Sequence, residues 1–78
     1  MISYEKAKEI ALERTKEAGV PINLAGELPH AYIFDDSENM YDGLLPVVIR
    51  KADGKAFNYW HYMKQTNSKG NDIKEIPF

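Results

Sequence analysis

Few residues in this chain are placed to do chemistry. His30 and His61 are the only histidines, and no HxxxH or HExxH spacing sets two imidazoles on one helical face. A zinc site would need both to converge with distant carboxylates. Their bland reading is as half-buried strand residues with hydrogen-bond partners. The alternative is a small ligand-binding domain or enzyme in which Asp or Glu joins His30 and His61 in acid–base work near neutral pH. The run Asp35-Asp36-Ser37-Glu38-Asn39 opens like a calcium loop, with oxygen side chains at alternate positions. It fails further on, where Met40 stands in place of the turn glycine and Pro46 in place of the closing bidentate Glu. No glycine pattern resembles a phosphate loop, and none of Ser3, Ser37 or Ser68 lies in GxSxG. Without cysteine, neither a disulfide nor a thiolate metal site is available. The residues therefore predict no catalytic group, metal or cofactor, and a protein that is not an enzyme.

Recognition by contact is the better-supported chemistry. Trp60, Tyr62 and Arg50 share a short stretch of sequence and belong to the residue types that dominate interface hot spots, combining large contact area with directional polar groups. Asp35, Asp36, Glu38 and Asp42 make the middle of the chain acidic and could steer a basic partner. These seven are the candidate partner-binding residues. Trp60 has a second reading, as part of the core beneath a loop or the C-terminal tail.

The elements that must position them follow from local signals. Ser3 as N-cap, Glu5 in the first turn and Gly19 followed by Pro21 frame a helix over about residues 3–18. Its buried stripe is expected to be Tyr4, Ala7, Ile10, Ala11 and Ala18. Glu5, Glu9, Glu13 and Glu17 form a ladder that reads as a solvent-facing surface. Aromatic and β-branched residues predict strands over about 30–35, 46–52 and 55–64, with a short fourth at 72–76, and residues between Pro21 and Pro29 read as loop.

Asp53-Gly54 makes the second and third strands a hairpin. A two-residue loop would pair Val48 with Tyr59. A three-residue loop with Gly54 left-handed would pair Ile49 with Phe57 and Val47 with Tyr59, and it segregates polarity better. That register sends Val47, Ile49, Phe57, Tyr59 and Met63 toward the helix and leaves Val48, Arg50, Asn58, Trp60 and Tyr62 on the other face.

Seventy-eight residues, 44% of them hydrophobic and 28% charged, describe one folded domain and exclude the disordered class. The net charge of -2 conceals an unequal distribution. Residues 1–20 are balanced, residues 21–43 carry five acids and no Lys or Arg, and residues 44–78 carry six Lys/Arg against three acids. Those basic residues are spread along hairpin and tail, unlike the concentrated face that displaces counterions from nucleic acid. No apolar run approaches the roughly 18 residues of a membrane span, and no signal-like start is present. The expectation is a cytoplasmic protein that binds neither nucleic acid nor membrane.

Two segments carry a family resemblance: Ile2-Ser3-Tyr4-Glu5-Lys6-Ala7 with Ile10-Ala11, and Gly43-Leu44-Leu45-Pro46-Val47-Val48-Ile49-Arg50-Lys51-Ala52-Asp53-Gly54-Lys55. Together they resemble the YrhB-type domain, or immunity protein 35 family, with Tyr32-Ile33-Phe34 at the place of its aromatic strand. The resemblance implies a helix before a small antiparallel sheet, and a bacterial cytoplasmic immunity protein that binds and masks a cognate toxin, or a related chaperone-like binder. No catalytic residue carries over. The combined expectation is an α+β fold, an N-terminal helix packed on an antiparallel sheet of three to four strands, serving as a protein-binding module. A self-associating structural protein, burying Trp60 and Tyr62 in a homodimer, is the alternative.

Overall fold

A computed structural model describes residues 1–19, 21–37, 46–69 and 72–78. Helix α1 spans Tyr4–Glu17. The Ser3 hydroxyl accepts the Lys6 amide at 3.1 Å, satisfying one of the free N–H groups of the first turn. The helix ends at Ala18, after which Gly19 takes a left-handed φ of 71°. Ala7, Ala11 and Thr15 are buried at successive four-residue steps, and the small side chains let the helix backbone approach the sheet. Tyr4 and Ile10 flank this stripe, half-buried. Ala18 does not continue it; it caps the helix in an exposed position, and Thr15 takes the buried place, its hydroxyl donating to the Leu12 carbonyl at 3.3 Å. The four glutamates of the ladder are all exposed.

One antiparallel sheet of five strands lies beside α1, in the order β4-β3-β2-β1-β5. Strand β1, Leu24–Leu28, occupies part of the segment expected to be loop and forms a tight hairpin with β2, Ala31–Asp35, in which Leu28 pairs with Ala31. Gly26 explains its weak sequence signal. A Cβ there would stand 2.7 Å from the Ile73 Cγ2 and 2.8 Å from the Ile33 Cγ2, so glycine is what allows Ile73 to cross the strand. Strand β5, Lys74–Ile76, then pairs with β1, Ala25 opposite Ile76.

The third predicted strand is corrected most. Strand β3, Val47–Arg50, pairs with β4, Ala56–Asn58, but β4 stops there and Tyr59–Gln65 form a second helix, α2. Asn58 makes the switch. Its backbone is still extended, and its side-chain oxygen accepts the amides of Trp60 at 3.0 Å and His61 at 3.4 Å, an N-cap that starts a helix within an aromatic run of strand-like composition.

The hairpin register also differs from both readings. Ile49 pairs with Ala56, Val48 with Phe57 and Val47 with Asn58 across a five-residue connection, Lys51 to Lys55. The Gly54 amide donates to the Arg50 carbonyl at 2.8 Å with Gly54 at φ 74°, and the Lys55 amide donates to the Asp53 carboxylate at 3.1 Å. Apolar segregation did not select this register because both faces of the sheet are covered. On one face α1 buries Ala25, Phe34, Val47 and Ile49. On the other, Tyr62 and Met63 of α2 pack with Leu28, Ala31, Ile33 and Val48, and Phe57, Tyr59 and Ile73 close the edge. Phe57, Tyr59 and Met63 thus belong to the second core, away from α1. No described helix is long and apolar enough to cross a membrane.

Candidate functional site

Helix α2 sorts its side chains by helical spacing. Tyr59, Tyr62 and Met63 recur at three- and four-residue steps and turn to the sheet, whereas Trp60, His61 and Lys64 are exposed. Trp60 is 74% exposed, the second most exposed large hydrophobic side chain among the described residues after Met1. Its ring meets Tyr59 edge-to-face at 5.0 Å between centroids. Tyr59 is itself half-buried against the second core, so the indole stands on a supported base. Lys64 lies one helical turn after Trp60 on the same side of α2.

Tyr62 does not belong to this surface. It is 4% exposed and packs on Phe57 with ring centroids 5.8 Å apart. Burial raises its hydroxyl pKa, and the nearby charges of Arg50 and Lys51 oppose that rise.

Arg50 is half-buried at the end of β3, its guanidinium over the Phe57 ring at 5.0 Å from the centroid. Its Nε donates to Asp53 Oδ1 at 2.9 Å while its second nitrogen bonds the other carboxylate oxygen. Those bonds, with the Lys55 amide, hold the Asp53 carboxyl down to about 2. Lys55 reaches the same Phe57 ring, 5.5 Å from its centroid. Phe57 in turn packs against the buried Tyr62 of α2.

Of the four acids singled out in the sequence, Asp35 and Asp36 are described. Asp35 is half-buried, and its carboxylate accepts the Asp36 amide at 2.8 Å. Asp36 is only 4% exposed, so its carboxylate does not stand on the surface as a steering charge. Glu38 and Asp42 lie outside the described residues. Arg50 pairs with Ala31 at the start of β2, whereas Asp35 ends that strand, about 13 Å away at the usual rise per residue.

The histidines are also separated in role. His30 sits in the β1–β2 turn and His61 on α2, both exposed rather than half-buried in strands. His30 lines an open cleft with Pro29, Arg50, Lys51 and Ala52, where the Lys51 ammonium pairs with Glu27 at 2.5 Å; His61 is not part of its lining. Among the described residues, no group of three or more His, Asp or Glu side chains could hold a metal ion.

The chain matches no protein-family model, no curated protein and no solved structure. Its own geometry therefore carries the functional argument. Sequence reasoning singled out Trp60 and Arg50, and missed Tyr59 and Lys64 as surface neighbours. The available signal was Asn58 followed by apolar residues at 59, 62 and 63, a capped amphipathic turn.

Proposed function

We propose that this protein is a stoichiometric protein-binding module whose contact surface is the outer side of α2. The observation that carries the reading is Trp60, exposed yet held by Tyr59. An exposed indole on a supported base offers a partner a large apolar area with little side-chain entropy left to lose, the usual property of an interface anchor. Masking a bacterial toxin domain in the cytoplasm is the specific form suggested by the resemblance of residues 2–7 and 43–55 to the immunity protein 35 family.

The test is purification of the tagged protein from its native cell, comparing wild type with Trp60→Ala. A single stoichiometric partner, identified by mass and lost in the variant, is the expected result. The reading is wrong if the same partner is retained by Trp60→Ala at unchanged affinity. Recovery of the protein alone at dimer mass would replace it with self-association through Trp60.

A further inference from the structure

We infer that the partner surface received by α2 is acidic: a carboxylate-rich polypeptide segment presenting an apolar side chain to Trp60. This rests on the protein-binding reading of the same surface and reverses the partner charge expected from the sequence. Residues 46–69, all described, carry Arg50, Lys51, Lys55, Lys64 and Lys69 against Asp53 alone. Asp53 is bound by Arg50, and Lys51 is paired with Glu27. Lys55 and Lys64 are exposed and enter no ion pair among the described residues, while Lys69, also exposed, has the Asp72 carboxylate beside it, which accepts its backbone amide at 2.9 Å. A basic partner would bring like charge to Lys64, one turn from the anchor, while an acidic one gains attraction there and on approach.

The same observations disfavour two other occupants. Symmetric packing of α2 on a second copy would bring together two helices that each carry Lys64 and no Asp or Glu, since a two-fold interface uses one patch on both subunits. Single-stranded nucleic acid needs successive stacking platforms along a cationic track. Here the Tyr59 and Trp60 rings are 82° apart, giving one open aromatic face rather than two parallel ones.

Trp60 is the sole tryptophan, so its emission reports this surface directly. The probes are a peptide alternating Glu with Leu, its Lys-for-Glu counterpart, and an oligothymidylate, each titrated into wild type and into K55E/K64E/K69E, whose fold is checked by circular dichroism. The inference expects the Glu peptide to shift Trp60 emission, to bind more weakly as salt rises, and to lose about tenfold or more in affinity in the triple variant. It is overturned by no response to the Glu peptide, by preference for the Lys peptide, by equal binding to the triple variant, or by tighter binding of oligothymidylate. Failure here is separable from failure of the protein-binding reading, because loss of a native partner in Trp60→Ala is measured independently of the partner's charge.

Discussion

Trp60 and Tyr62 are two residues apart, and the structure gives them opposite roles that stability can resolve. Trp60→Ala removes a side chain that is 74% exposed, and surface truncations of this kind change stability by about 0.5 kcal/mol or less. Tyr62→Ala removes a ring that is 4% exposed, in contact with Phe57 and packed in the cluster of Leu28, Ala31, Ile33 and Val48. Truncating a buried aromatic costs about 3–5 kcal/mol, transfer and cavity together. At roughly 0.05–0.15 kcal/mol per residue, a chain of this length has only about 4–12 kcal/mol in all. Tyr62→Ala therefore removes a large share of the stability, and a variant lacking both rings confounds lost contact with lost fold. Urea unfolding followed by far-UV circular dichroism is the assay, since Trp60→Ala abolishes the fluorescence probe. With m about 1 kcal/mol/M for so small a domain, the Tyr62→Ala midpoint should fall by about 3 M or more and that of Trp60→Ala by under about 0.5 M. Equal midpoints for the two variants at unchanged m would refute the placement of Tyr62 in the core and with it the orientation of α2.

Other positions give equally direct checks. Gly26→Ala forces a methyl against Ile73 and Ile33 and should destabilise by about 1–3 kcal/mol, read as a lowered urea midpoint; an unchanged midpoint would mean that Ile73 does not cross β1. Ser3→Ala should cost about 1 kcal/mol through loss of the cap on the Lys6 amide, and an unaltered thermal midpoint would exclude that bond. The Asp53 carboxyl, held at about 2 against an ordinary 3.8, adds stability that is present above 3.8 and lost as pH falls toward about 2. Asp53→Asn should flatten that part of the acid limb in a pH series of unfolding curves. At the other extreme, burial keeps Tyr62 protonated beyond its ordinary value of 10.0, so its contribution is intact below 10.0 and lost as pH rises through the higher folded value. Tyr62→Phe should lessen the alkaline loss of stability in the same series.

The parts of the fold legible in the sequence were those fixed by neighbouring residues. Ser3, the i,i+4 alanines and Gly19 define α1 because cap, periodicity and stop lie within one segment. Tyr32-Ile33-Phe34 and Val47-Val48-Ile49 become strands as their composition suggests. Strand β1 was hidden because Leu24-Ala25-Gly26-Glu27-Leu28 lacks β-branched residues, and its glycine answers to Ile73, forty-seven positions away. The run from Phe57 to Tyr62 misled for the opposite reason: strand propensity is strong there, yet Asn58 caps a helix.

Of the candidate site, residue type was legible and exposure was not. Composition marked Trp60, Tyr62 and Arg50 as suitable for recognition, but an aromatic side chain has the same identity in a core and at an interface. By itself the sequence determined an α+β class, a capped first helix, a glycine-supported hairpin turn and the aromatic anchor as a candidate. Only the tertiary structure decided that the sheet is covered on both faces, which buries Tyr62, exposes Trp60, and withdraws Asp36 from the surface. The physical reason is that local rules fix spacing along an element, whereas burial depends on which distant segment covers each face, and here α2 covers the face that sequence patterning had left open.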